Sequence, residues 1–212
     1  MLTAIRKNGL ILATFACVST GVVAITHQLT QNQIQKQERQ QLLSVLNQVI
    51  PHSLHDNELA QSCIMVNDPA LGTEDPMPAY IATLDEQPSA IAIEAIAPDG
   101  YNGAIKIIVG IREDGAITGT RVLAHNETPG LGDKVDLRIT DWILNFTGKT
   151  VTSDNLNQWK VRKDGGQFDQ FTGATITPRA VVKAVKQTVM YVNSHRQELL
   201  NQPYNCEGDN YE

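Results

Sequence analysis

Two short runs hold the residues through which this chain could do chemistry. They are Glu127-Thr128-Pro129-Gly130-Leu131-Gly132 and Asp169-Gln170-Phe171-Thr172-Gly173-Ala174-Thr175. The second ends on the hydroxyl of Thr175, just before Pro178 opens a strongly apolar-periodic stretch. Thr177 suits a helix N-cap and Pro178 the first helical position. Thr175 is therefore expected immediately before a helix N-terminus, where unpaired N–H groups and the positive dipole end favour an anion. Gly173 and Ala174 remove side-chain bulk, so a large group can approach the backbone. Alone, such a string is also ordinary loop chemistry. The first run is also a turn, because Pro followed by Gly punctuates chains. A turn, however, needs neither Glu-Thr before it nor Leu between two glycines.

Together and in this order, D-x-x-T-G-A-T and E-T-P-G-L-G resemble the flavinylation site and companion motif of the FMN-binding domain family. Asp99-Gly100-Tyr101-Asn102-Gly103, which opens the apolar run Ala104–Ile111, matches that family's G-[YFW]-x-G turn, though a hairpin or strand start explains it equally well. The resemblance covers about Pro98–Val192. It implies that Thr175 carries FMN through a phosphoester bond, an anionic group suited to a helix N-terminus. Thr172, Gly173 and Ala174 would shape the loop, and Asp169 would help a maturation enzyme recognise it. Glu127, Thr128 and Leu131 would line the ring or ribityl chain, with Leu131 as apolar platform and Thr128 as polar handle. Tyr101 would sit at the pocket rim. An unactivated hydroxyl is a weak nucleophile, and no His or Cys base adjoins Thr175 in sequence. The resemblance accordingly implies a separate flavin transferase that uses FAD and Mg²⁺ and releases AMP. Lys134 and Arg138 could stabilise a reduced anionic flavin; solvent-exposed helix charges are the plainer account.

Family members with one N-terminal membrane helix and one such domain serve in membrane complexes that couple electron transfer, of the NAD/ferredoxin type, to cation movement. The resemblance thus implies an electron-relay subunit, with the other subunits of such an oxidoreductase as partners. The chain has no cysteine set for iron–sulfur ligation and no G-x-G-x-x-G loop, so no independent catalytic site is expected. Two other function classes compete. A cofactor-free, membrane-anchored assembly subunit would use the membrane helix and a stalk to hold partners. A flavin-domain sensor is disfavoured, since no further signalling domain fits in 212 residues.

Composition bounds the rest. With 42% apolar and 19% charged residues, the chain reads as globular. A formal net charge of −6 and 5% aromatic residues argue against nucleic-acid binding. Arg6 and Lys7 precede the uncharged span Gly9–Ile25, and about Gly9–Gln28 is long enough to cross a bilayer. Positive charges at its start favour a cytoplasmic N-terminus in a bacterial inner membrane, with the main domain in the periplasm. The rival is a cleaved signal peptide, for which Val22-Val23-Ala24 is a passable site. Retention is favoured because the apolar run passes unbroken into a helical segment. Thr14-Phe15-Ala16 before Cys17 makes a poor lipobox. Cys63 and Cys206 both fall in the soluble part, where an oxidising compartment permits a disulfide; their spacing alone leaves the pairing open.

The expected organisation is a membrane anchor over 1–28, a helical stalk and connection over 29–78, an FMN-binding domain over 79–200 and a tail over 201–212. Thr26–Ile50 reads as a Gln-rich helix with Leu29, Ile34, Leu42, Leu46 and Val49 on an imperfect apolar face, ended by Pro51. Residues 52–78 read as a polar connection. Strands are predicted at Ala79–Leu84, Ser89–Ala97, Ala104–Ile111 and Ala116–His125, the last two joined through Glu113-Asp114-Gly115. Leu137–Phe146 has helical spacing, with Trp142 and Phe146 on one face; core packing is the default for that pair and flavin contact the alternative. Trp159–Arg162 is expected to add a strand. Pro178–Leu199 closes the domain with Val181, Val185, Val189 and Val192 on one face. The fold class is α+β, one N-terminal transmembrane helix followed by a twisted antiparallel sheet packed on helices. The flavin would lie between the Glu127–Gly132 and Thr172–Thr175 loops.

Overall fold

Helix α1, Leu2–Val49, runs without a break until Pro51 stops it. The structure, a computed structural model, describes residues 2–206. It divides into Met1–Leu42 and Leu43–Glu212. Among its described residues the first unit is helix alone. Its segment Arg6–Gln31 contains an 18-residue window with a mean hydropathy of 2.0 and no buried residue, the length and composition of a membrane span. Within it the hydroxyls of Thr14, Ser19 and Thr26 donate to the carbonyls four residues back, each at 2.8 Å. Polar side chains are thereby satisfied without leaving the helix. Of the apolar face assigned to residues 26–50, Leu29 is exposed, Leu42 half-buried, and Leu46 and Val49 buried. The Ile34 side chain and tail residues 207–212 lie outside the described residues.

The second unit is built on an antiparallel meander of five strands in sequence order: β1 Cys63–Val66, β2 Met77–Leu84, β3 Gln87–Ala97, β4 Ile105–Arg112 and β5 Ile117–Ala124. The turn between β2 and β3 places Asp85 and Glu86 at φ 51° and 63°, the pattern of a two-residue hairpin turn. Gly115, at φ 80°, closes the β4–β5 hairpin. One sheet face carries Ile91, Ile93, Ile107, Val109 and Ile111, all fully buried. Helix α2, Ile176–Asn201, covers it with Val181, Val185, Val189 and Val192, also fully buried. The opposite face is buried too, which is why β3 is apolar at successive positions, broken only by Glu94, instead of alternating. There the end of α1 seats Val49 against Gly110 and Gly119, and Thr118 Oγ1 donates to the Val49 carbonyl at 2.6 Å. A Cβ on Gly119 would come within 2.9 Å of Val49 Cα, so glycine is what permits the approach.

Three expectations need correction. Strand β1 lies inside the stretch read as a connection; its four residues are too few to show alternation against polar flanks. Leu137–Phe146 is not an α-helix. Only Asp141–Phe146 is helical, as a 3-10 turn capped by the Thr140 hydroxyl. The Asp136 carboxylate takes the Arg138 backbone N–H at 2.8 Å, and the Ile139 and Thr140 amides both turn back to the Asp136 carbonyl. That local side-chain bond competes with regular helix. Trp159–Arg162 forms no sheet strand and contributes one isolated bridge, Val161 to Phe168. What organises residues 132–171 instead is an aromatic cluster. Phe146 stacks on Phe168 at 4.6 Å between centroids and meets Trp142 edge-on at 5.5 Å. Trp142 and Phe146 are buried, the packing role that was their default.

Cys63 and Cys206 are joined in the structure, with Cα atoms 5.5 Å apart. Beside them, Asn205 donates its amide to the Cys63 carbonyl at 3.1 Å and accepts from the Met65 amide at 2.7 Å. The segment after α2 therefore covers the free edge of β1.

Candidate functional site

Helix α2 begins at Ile176, two residues earlier than the Thr177–Pro178 pair suggests. Thr175 occupies the cap position itself, at φ −80° and ψ −26°, and its side chain makes no capping bond. Thr177 is not a cap. Its hydroxyl is fully buried and donates to Glu127 Oε2 at 2.6 Å. A carboxylate acceptor outcompetes the weaker backbone cap, and the helix starts upstream of it. The amides of Ile176 and Thr177 open the helix; Pro178 has none to offer.

Both motifs fold as tight turns of one kind. Leu131 N donates to Thr128 O at 3.1 Å around Pro129-Gly130, with Gly130 at φ 76°. Ala174 N donates to Phe171 O at 3.1 Å around Thr172-Gly173, with Gly173 at φ 81°. Glycine at the third position with positive φ is the signature of type II turns. The two turns face each other: a Cβ added to Gly173 would sit 3.6 Å from Leu131 Cδ2. Between them lies a cleft of about 300 Å³. The first motif lends it Glu127, Thr128, Leu131 and Gly132. The second, with the start of α2, lends Gly173 through Thr177, and Tyr101 forms the far wall. Leu131, Ile176 and Tyr101 are 41%, 45% and 69% exposed, an unusual grouping of large apolar surface around one opening.

Glu127 is buried beneath this surface. Its Oε1 accepts from the Asn102 amide at 3.1 Å, and its own amide donates to His125 Nδ1 at 3.1 Å. Behind it Asp136 is buried and gripped by Arg138, whose hydrogen bonds, more than the nearby His125, hold the Asp136 carboxyl below the usual carboxylate range. Arg138 is thus spent on Asp136, and neither it nor Lys134 lines the cleft. No lysine or arginine is among the lining residues, so local positive potential comes from the helix terminus.

Of the residues singled out in sequence, Thr175, Gly173, Ala174, Glu127, Thr128, Leu131 and Tyr101 meet at the cleft. Thr172 is exposed on the turn outside the lining. Asp169 is also outside it: its carboxylate pairs with Arg162 at 2.9 Å and its carbonyl accepts from Trp142 Nε1 at 2.8 Å. Sequence reasoning missed Ile176, and within the Asp99–Gly103 turn it gave a role to Tyr101 alone, leaving Asn102 and Gly100 without one. Ile176 interrupts the polar approach to the helix, a signal that was available. Gly100 is required first by its own turn, where a Cβ would clash with the Gly103 carbonyl, and the fold adds a second close approach, 3.0 Å from Glu127 Oε1.

The arrangement can hold a flat, mostly apolar group against Leu131 and Ile176, with Thr128 as polar partner and an anionic tail at the first amides of α2. FMN has this chemistry, and the residues present fit it.

Comparison with known proteins agrees. The FMN-binding domain family matches residues 100–190, and the RnfG N-terminal region matches residues 1–49. The chain is 71% identical over 209 residues to the G subunit of the ion-translocating oxidoreductase complex of Vibrio atlanticus, covering 99% of this chain and 100% of that one. The Vibrio cholerae G subunit is 71% identical over 98% of this chain and 100% of its own, and that of Aliivibrio fischeri 60% identical over 98% and 99%. Among solved structures, Shewanella oneidensis NqrC aligns with a TM-score of 0.48 at 20% identity, over 71% of this chain and 74% of that one.

Proposed function

The chain belongs to the family of G subunits of ion-translocating oxidoreductase complexes, and from that premise we propose that it relays electrons through FMN esterified to Thr175 while anchored in a bacterial inner membrane. What carries the reading is the cleft at the start of α2, where both motifs converge on a threonine whose hydroxyl caps nothing. Bound there, FMN would supply one-electron transfer between donors and acceptors of the complex. The chain's own residues do the positioning. Thr175 Oγ1 anchors the phosphoryl group. The amides of Ile176 and Thr177 and the dipole of α2 offset its charge. Gly173 and Ala174 leave the backbone open beside it, with Thr172 completing the turn. Leu131, Thr128, Glu127 and Tyr101 bound the space for the ring and ribityl chain.

Nothing beside Thr175 in sequence activates its hydroxyl, so a separate flavin transferase working with FAD and Mg²⁺ makes the ester and releases AMP. Asp169, exposed and close in sequence to the turn, suits recognition by that enzyme. The other subunits of the oxidoreductase are the remaining partners. Arg6 and Lys7 before the apolar span favour an N-terminus in the cytoplasm and residues 43–212 in the periplasm, where Cys63 and Cys206 stay bridged.

Mass spectrometry tests the attachment. The intact chain, co-expressed with a flavin transferase, gains the mass of FMN less one water. Thr175→Val abolishes the gain; an unchanged gain in that variant overturns the assignment.

A further inference from the structure

The buried pair Glu127–Thr177 links the two motifs, yet its atoms are turned to one another. Glu127 is 5% exposed and Thr177 fully buried. One carboxylate oxygen takes the Thr177 hydroxyl, in the first turn of α2. The other takes the Asn102 amide, in the turn that carries Tyr101. Gly132 marks the same pair from outside: a Cβ there would clash with Glu127 Oε2 and come 2.6 Å from Thr177 Oγ1, while Gly100, already required by the Gly103 carbonyl of its own turn, would bring a Cβ within 3.0 Å of Oε1. Two other segments of the chain therefore converge on one side chain, and the glycine that ends its own loop leaves room for it. Burying a carboxylate costs several kcal/mol unless its oxygens are bonded. A chain that needed only a packed core could fill this position with an apolar residue at less cost.

We propose that Glu127 and Thr177 are positioning residues which fix the start of α2, and with it Thr175, relative to the Thr128–Leu131 turn. The proposal rests on FMN attachment at Thr175. Thr177 lies two residues along the helix from Thr175, so its tether sets the rotation of the first turn and the direction of the Thr175 hydroxyl. Asn102 ties the Tyr101 wall to the same point. Losing the tether lets the first turn swing, while the sheet and the rest of α2 stay packed through the valine face. Misplacing a reacting group by about 1 Å costs up to roughly a hundredfold in rate, so transfer onto Thr175 is the sensitive step.

The test uses the full chain in membranes with a co-expressed flavin transferase. Covalent flavin is followed over time by fluorescence in denaturing gels, and the bound flavin by its visible circular dichroism and midpoint potential. Thr177→Val keeps the shape and removes the donor. It is expected to slow flavin transfer about tenfold or more and to shift the dichroism and potential of the flavin that is attached. Thr177→Ser keeps the donor and restores all three readouts. Glu127→Gln, which keeps the volume, is expected to shift the dichroism even where transfer is complete. Should Thr177→Val fail to fold, Thr177→Ser and Glu127→Gln decide. Wild-type rate, dichroism and potential in folded Thr177→Val, or in Glu127→Gln, overturn the proposal. A wild-type chain that takes up no flavin at all overturns the attachment at Thr175 instead, so the two failures are separate.

Discussion

Leu131 is the residue whose two possible roles differ most in consequence. It is 41% exposed, sits between Gly130 and Gly132, and rests against Gly173 across the cleft. A side chain that merely plugged a core would be covered, and burial of a whole leucine is worth about 1.5–3 kcal/mol. One left this open contributes much less to stability. Leu131→Ala should therefore leave the melting temperature nearly unchanged and the chain still flavinylated at Thr175. The absorption band and midpoint potential of the flavin should move. A folded variant with wild-type spectrum and potential would count against ring contact. This residue was legible in sequence because no turn requires it. Thr177 was not. Its hydroxyl reads as a cap, and only the fold brings the Glu127 carboxylate to it from fifty residues away in the chain.

At the scale of elements, residues 132–171 have little regular structure and still position the Phe171–Ala174 turn. Two devices hold them. The first is the aromatic cluster around Phe146, which is fully buried and stacks within 4.6 Å of Phe168. Phe146→Ala should cost about 3–5 kcal/mol, read as a lower denaturant midpoint. The second is buried Asp136, whose carboxyl is kept below the ordinary carboxylate range chiefly by the hydrogen bonds of Arg138. A depressed carboxylate stabilises the folded state above its unfolded value and loses that contribution as the pH falls through the folded one. Stability should thus fall from the ordinary carboxylate range downward, and Asp136→Asn should flatten this acid limb. A variant with the same slope would remove Asp136 from the explanation. Helical spacing over Leu137–Phe146 misled because periodicity reports which side chains are buried, whereas the Asp136 side chain decided the backbone.

For the whole molecule, the apolar segment and the domain make one joint prediction. A reporter active only in the periplasm, fused after Glu212, should be active while the protein stays in the membrane fraction. In the same cells, Cys63 and Cys206 should resist a membrane-impermeant maleimide until a reductant is added. Recovery in the soluble periplasmic fraction would refute the tether, and labelling without reductant would refute the bridge.

Sequence by itself determined the apolar N-terminal helix, four of the five strands, helix α2 and both motifs of the cleft. Each of these is a local property: a run of apolar residues, a period, or a turn that only particular residues can make. Tertiary structure alone decided four others. Strand β1 exists because β2 offers it a partner. Helix α2 starts at Ile176 because Glu127 claims Thr177. Gly119 and Gly132 are glycines because another segment passes where a Cβ would be. Cys63 and Cys206 come together because α2 returns the chain to the edge of β1. All four depend on atoms brought close from distant parts of the chain, and a linear string carries no distances between such parts.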